Sequence, residues 1–253
     1  MEQNFNISDD KIKELTKISV KYSQIITKVM DEAEKNIVGQ NDIIKKIIIS
    51  VISDGHVLLE SVPGLAKTLM IKTMSEIFSV DNVRIQFTPD LLPADILGTK
   101  IYKSNTGTFE IQKGPIFHNF ILADEINRAP PKVQSALLEA MQEKQVSIHG
   151  ETFQLNKPFL VLATQNPIEN EGTYKLPEAQ VDRFALKILI TYPTKEQEIE
   201  IIKRNTINTK IQVNPILQSK ELLEMQKFNA EIYADDVILK YVASIVDATR
   251  NPS

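Results

Sequence analysis

From Ser8 to Lys35 the apolar residues Ile12, Leu15, Ile18, Tyr22, Ile25, Ile26 and Val29 recur at steps of three and four, the stripe of an amphipathic helix. Ser8 stands as its N-cap, and Asp9 and Asp10 suit the positive dipole end of its first turn. A second helix is predicted over 41–53. Asp54-Gly55 then turns the chain into a short strand over 56–60. Beyond this point the period changes. Residues 83–87, 120–123, 159–164 and 185–190 are short continuous apolar runs bounded by turn residues, as expected of strands buried on both faces of a parallel sheet. Helical patterns at 68–79 and 131–142 lie between them. The alternation predicts an α/β sheet flanked by helices, with ligands bound at the carboxyl ends of its strands.

Two stretches interrupt the alternation. Residues 101–112 hold two strand-like runs around Ser104-Asn105-Thr106-Gly107, and 146–155 hold another pair around His149-Gly150-Glu151. Both read as hairpins inserted into the alternating pattern and projecting from the sheet. From Thr194 onward strands give way to helical patterns at 195–204, 217–230 and 235–249. The expected organisation is an N-terminal helical segment over 1–35, an α/β nucleotide-binding domain over 36–192, and a small helical lid over 193–253. The boundary is placed near Tyr192-Pro193.

Composition adds bounds rather than chemistry. The 253 residues are 42% hydrophobic and 25% charged, ordinary for a globular protein, and suffice for a large domain plus a small one. The formal net charge of −4 gives no global basic footprint for nucleic acid, and Lys11 to Lys13 and Lys45-Lys46 are small patches among acids. With no cysteine in the chain, disulfides, thiolate metal sites and cysteine nucleophiles are excluded. The polar N-terminus lacks a signal-peptide pattern, and the most apolar stretch, residues 43–59, is broken by Lys45, Lys46, Asp54 and His56. A cytoplasmic protein without membrane spans is expected. His56, His118 and His149 show no metal-ligand spacing, and Glu169 and Glu171 read as solvated loop carboxylates.

Chemistry concentrates in two places. The first is the strand–loop–helix sequence His56-Val57-Leu58-Leu59-Glu60-Ser61-Val62-Pro63-Gly64-Leu65-Ala66-Lys67-Thr68. Backbone N–H groups at a helix start form an anion site, a following lysine reaches β- and γ-phosphates, and a hydroxyl reaches Mg²⁺. The phosphate-loop pattern is met in part: Gly64, Lys67 and Thr68 are present, while Ser61 and Ala66 stand at its two glycine positions. Alone, the segment also reads as an ordinary turn before a helix. The second place is Asn119-Phe120-Ile121-Leu122-Ala123-Asp124-Glu125, an apolar strand that delivers two carboxylates at its end. An aspartate there holds Mg²⁺ and a following glutamate serves as general base toward water. A helix-capping Asp-Glu pair is the bland reading, and the company of Lys67-Thr68 in one βαβ chain disfavours it.

These segments, with Val38-Gly39-Gln40, Gln86-Phe87-Thr88-Pro89-Asp90-Leu91-Leu92-Pro93-Ala94-Asp95, Asp124-Glu125-Ile126-Asn127-Arg128-Ala129-Pro130-Pro131, Ala163-Thr164-Gln165-Asn166-Pro167 and Pro177-Glu178-Ala179-Gln180-Val181-Asp182-Arg183-Phe184, resemble the MoxR family of AAA+ ATPases in order over about 36–249. Ala66 is usual in that family and Ser61 departs from its commoner glycine. The resemblance implies a P-loop NTPase fold, ATP and Mg²⁺ as ligands, and a chaperone-like remodelling ATPase. It implies nucleotide contacts from Val38, Gly39, Ser61, Val62, Pro63, Gly64, Leu65, Ala66, Lys67, Thr68 and Leu69, with Thr68 and Asp124 on the metal. Lys67, Glu125, Asn166 and Arg183 would be catalytic, Asn166 orienting water and Arg183 reaching a neighbouring subunit's γ-phosphate. From sequence alone, Asn166 reads equally as a strand-end turn residue, and Arg183 as an ion-pair partner of Asp182 or Glu178. Such arginines are worth roughly 10³–10⁵ in rate. Arg128 would act at the subunit interface, and the segment 89–98 with the 146–155 hairpin would face a central pore. A homo-oligomeric ring, commonly a hexamer, and a partner with a von Willebrand factor A-type domain are implied as well. The sequence ends before the position at which relatives carry a sensor-2 arginine, so an incomplete lid is expected. The rival functions are a nucleotide-binding switch with little turnover and a nucleic-acid-linked AAA+ motor.

Overall fold

The computed structural model describes residues 9–62, 64–167, 172–206 and 211–251. Ser8, Pro63, Glu169 and Glu171, singled out above, lie outside the described residues. The chain begins with helices α1 (Asp9–Asn36) and α2 (Asn41–Ile52), strand β1 (Val57–Glu60), helix α3 (Lys67–Ile77) and strand β2 (Asn82–Gln86). A short helix α4 (Pro93–Leu97) leads into the hairpin β3 (Gly98–Lys103) and β4 (Thr108–Lys113). Then come β5 (Phe120–Asp124), α5 (Pro131–Glu143), a second hairpin β6 (Gln145–Ile148) and β7 (Glu151–Gln154), and β8 (Leu160–Gln165). The final elements are α6 (Glu178–Val181), β9 (Leu186–Leu189), α7 (Lys195–Thr206), α8 (Ser219–Ala230) and α9 (Asp236–Arg250).

Among the described residues β1, β2, β5, β8 and β9 form one parallel sheet in the order β2-β5-β8-β1-β9. The apolar runs are unbroken because alternate residues serve opposite faces. Phe120 and Leu122 join Val57, Leu59, Leu160 and Leu162 in a core with α1, α2 and α3. Ile121 and Ala123 join Leu58, Val161 and Ala163 in a second core against α5. His56, at the mouth of β1, ties these layers together. Its Nδ1 accepts from the Val161 N–H at 3.1 Å, which leaves the proton on Nε2 to be donated to the Met141 carbonyl at 3.2 Å.

Both hairpins stand outside the main sheet as separate two-stranded ribbons, as the sequence predicts. They meet through Lys100 and Glu151, 3.7 Å apart. The four-residue register of β6 and β7 and the six-residue register of β3 and β4 are antiparallel throughout. Helix α4 was not among the predicted elements. It is a single turn whose start is fixed by Asp95, which accepts the Leu92 N–H at 2.8 Å, with Pro93 at its first position. Helix α1 lies along α3 and α2. Its buried Glu32 accepts from the Asn214 backbone N–H and side-chain amide, at 2.8 and 3.2 Å, and Tyr22 meets Phe228 of α8 edge-on. Helix α9 differs: Val237, Ile238, Tyr241, Val242 and Ile245 are all exposed. Among the described residues no helix is long and apolar enough to cross a membrane.

Candidate nucleotide site

Because β8 lies between β1 and β5, the loop that leaves β1 and the carboxylates that end β5 reach the same rim of the sheet. Gly64, Leu65, Ala66, Lys67 and Thr68 line one cavity of about 380 Å³ together with Arg84, Asp124 and Glu125. Gly64 has φ +86 and a Cβ there would meet nothing within 4 Å, so the requirement at that position is the left-handed backbone. Ala66 adopts φ +53 at the cap of α3, a conformation that costs a residue with a Cβ, and Glu125 sits at φ 57 directly after β5. Two strained non-glycine residues thus flank the same cavity.

The side chains are already engaged. Lys67, the first residue of α3, folds back to donate from Nζ to Ser61 Oγ at 2.9 Å and lies 3.4 Å from the Val62 carbonyl. Ser61 is buried, so the hydroxyl that replaces the family's glycine faces inward to the lysine. Thr68 is exposed at the cavity rim, and Leu69 is turned partly to solvent. Asp124 is buried. Its Oδ1 accepts from Thr164 Oγ1 at 2.7 Å, and its Oδ2 accepts from Arg84 Nε and a second guanidinium nitrogen at 3.0 and 2.6 Å. Glu125 Oε2 accepts from Gln86 Nε2 at 2.8 Å and from Arg128 at 3.0 Å, while its backbone N–H donates to Thr164 Oγ1 at 2.8 Å.

Arg84, Gln86 and Thr164 are the site residues that the sequence reading missed as functional. Gln86 and Thr164 stood inside quoted segments without a role. Arg84 had one available signal, a lone cation inside a short apolar strand.

Other residues fall elsewhere. Asn166, buried, lines a second cavity of about 630 Å³ with Glu60, Asn127, Asp182 and Lys187. Arg183 is exposed after α6 and, among the described residues, forms no ion pair with Asp182 or Glu178. Gly39 lies against α7, where a Cβ would meet the Gln197 side chain at 2.3 Å. Val38 is half-buried beside it, and Gln40 is buried.

The oxygen donors suit a hard divalent cation. Thr68 and Asp124 line one cavity, and the described residues hold no cluster of three or more His, Cys, Asp or Glu. A cation there has few protein ligands, which is how Mg²⁺ is held beside phosphates. Lys67 and the start of α3 would supply positive charge for such phosphates.

A parallel sheet carrying a glycine-containing loop, a helix-start lysine and a strand-end Asp-Glu pair defines a P-loop ATPase domain, and residues 56–186 match the ATPase family associated with various cellular activities (AAA). The chain belongs to the MoxR family of these AAA+ ATPases. It is 51% identical to Chaperone MoxR1 of Mycobacterium tuberculosis over 87% of this chain and 58% of that protein. It is 44% identical to the uncharacterized protein YeaC of Bacillus subtilis, over 89% of this chain and 71% of that protein. A crystal structure of a protein from Cytophaga hutchinsonii assigned as an ATPase superposes with TM-score 0.86 at 50% identity, covering 94% of this chain and 73% of that one. The chain therefore spans little more than half the length of its mycobacterial relative.

Proposed function

We propose that this chain binds ATP with Mg²⁺ and hydrolyses it to drive chaperone-like remodelling of a protein client, as one subunit of a ring. The observation that carries the reading is the meeting of Lys67, Thr68, Asp124 and Glu125 in one cavity. Lys67 and the N–H groups opening α3 bind the β- and γ-phosphates, and Thr68 and Asp124 hold the metal. Bound Mg²⁺ would neutralise phosphate charge as the terminal phosphoryl group leaves. Glu125 takes the proton of the attacking water; Gln86 and Arg128 fix which of its oxygens is free to do so. Asn166 positions that water from the end of β8. Val38 and Gly39, beside α7, would receive the base.

Arg183 does not line the cavity that holds Lys67 and Asp124, and its exposure fits a group that completes a neighbour's site. The similarity to Chaperone MoxR1 supports a protein client rather than a nucleic acid. The testing experiment is steady-state ATP hydrolysis against protein concentration with Mg²⁺, for the wild type, Glu125→Gln and Arg183→Ala. A specific activity that rises with concentration and is lost in both variants is the expected result. Tight ATP binding without turnover at any concentration would instead favour a nucleotide-binding switch.

A further inference from the structure

The ion pair between Arg84 and Asp124 poses a conflict within the site. Asp124 is the carboxylate assigned to the metal, yet one of its oxygens receives two N–H bonds from Arg84 and the other the Thr164 hydroxyl. A guanidinium and a divalent cation cannot share that oxygen without facing one another as like charges. The two partners are also unequally held. The Asp124 side chain is 9% exposed, whereas Arg84 is 49% exposed and lines the cavity beside Lys67 and Thr68. Among the described residues its other polar contact is the Gln86 amide oxygen at 2.6 Å, a neutral, half-buried side-chain group at the end of β2. Arg84 can therefore leave Asp124 without breaking any packed core, and the planar fork of its guanidinium matches a phosphate as well as a carboxylate.

We propose that Arg84 is an exchangeable counter-ion: it neutralises Asp124 before the metal arrives, and turns to the nucleotide's phosphates when the metal takes the carboxylate. This rests on the ATP–Mg²⁺ reading of the cavity. Arg84 then contributes twice, as a stand-in for the cation on a buried carboxylate and as a phosphate ligand from the same subunit. Metal and nucleotide binding are coupled through it, because the metal takes Asp124 from Arg84 and the nucleotide's phosphates offer Arg84 a new partner.

The test is equilibrium ATP binding by calorimetry in EDTA and in Mg²⁺, for the wild type, Arg84→Gln, Arg84→Lys and Lys67→Ala, with Mn²⁺ titration of the nucleotide-free proteins followed by electron paramagnetic resonance. Arg84→Gln should weaken ATP binding about tenfold in Mg²⁺, where Arg84 is free to reach the phosphates, and much less in EDTA, where it stays on Asp124. The ratio of affinities with and without Mg²⁺ should therefore fall by a similar factor, within the usual range of coupling between sites. The same variant should bind Mn²⁺ alone more tightly, since the metal no longer has to displace a guanidinium. Arg84→Lys keeps the charge without the fork and should fall between, which also guards against a folding defect in Arg84→Gln. An unchanged affinity ratio, or Mn²⁺ binding that is unaltered or weaker in Arg84→Gln, would overturn the proposal and leave Arg84 a fixed structural partner. If the wild type binds no ATP under either condition, the ATP reading itself fails, and the Mn²⁺ titration still decides whether Arg84 yields Asp124 to a cation.

Discussion

Lys67 donates to a neutral hydroxyl and lies near a neutral carbonyl in this structure, and that determines what a phosphate must overcome. Hydrogen bonds to an ionised acceptor are roughly twice as strong as neutral ones. A terminal phosphate would therefore draw the ammonium off Ser61 at small cost. Lys67→Ala should abolish measurable ATP binding by calorimetry while leaving the thermal midpoint within a few degrees of wild type, because the side chain spans the loop and not the core. ATP binding at wild-type affinity would remove the loop from the site. Glu125→Gln is expected to retain ATP and lose at least about a hundredfold in turnover, the usual scale for a general base. Wild-type turnover in a single-cycle assay would exclude Glu125 as the base. His56 makes a prediction of another kind. Burial, aided by nearby Lys144, pushes its pKa from the ordinary 6.5 down to about 4, against the pull of its bond to Met141. The unfolded chain takes up this proton near 6.5 and the folded one resists it until about 4. The stabilisation is therefore complete above 6.5 and is lost as pH falls through that window, by about 3 kcal/mol at most. Urea unfolding at several pH values should show that slope in the wild type and a shallower one in His56→Gln.

Elements differ in how much their own residues dictate. The strand-end carboxylates and the loop before α3 are contiguous runs, so the chemistry of each was legible along the chain. The joining of Arg84 to Asp124, forty positions apart, depends on β2 lying beside β5, and the hydroxyl of Thr164 reaches Asp124 only because β8 is the next strand over. Local periodicity carries no strand order, which is why these three residues were not connected in advance. Helix α9 makes the same point in reverse: its apolar stripe is plain in the sequence, and the described structure leaves that stripe exposed. The β3–β4 hairpin is set by a glycine instead of by its apolar pattern. At Gly98, φ is +103 and a Cβ would stand 2.3 Å from the Gln112 carbonyl and 2.6 Å from the Gly114 nitrogen, both backbone atoms with no freedom to retreat. Gly98→Ala should cost about 1–3 kcal/mol, the scale of local backbone strain. Hydrogen exchange should then speed up in β3 and β4 with the main sheet still protected. Unchanged protection in the hairpin would mean that its base does not depend on this close approach.

At the scale of the whole molecule the question is where Arg183 acts. It follows α6 on the exposed rim of the second cavity's wall, outside the cavity that holds Lys67 and Asp124. A head-to-tail contact of one rotation repeated around a ring would bring the same arginine to every neighbouring site, and a site so built has two owners. Ownership can be separated by mixing. Lys67→Ala subunits have no working phosphate loop but present an intact Arg183; Arg183→Ala subunits are the converse. Each alone should be nearly inactive. In an equal mixture assembled from dissociated subunits, a site works where an Arg183→Ala subunit meets a Lys67→Ala neighbour on the correct side. Random order in a closed ring makes that about a quarter of all positions. The mixture should therefore regain about a quarter of the wild-type ATPase rate per subunit, and dilution below the assembly concentration should remove it again. If Arg183 serves its own subunit, every site in the mixture lacks one of the two groups and the rate stays at the average of the two variants. The comparison needs no knowledge of the client, because the quantity that changes is the fraction of complete sites.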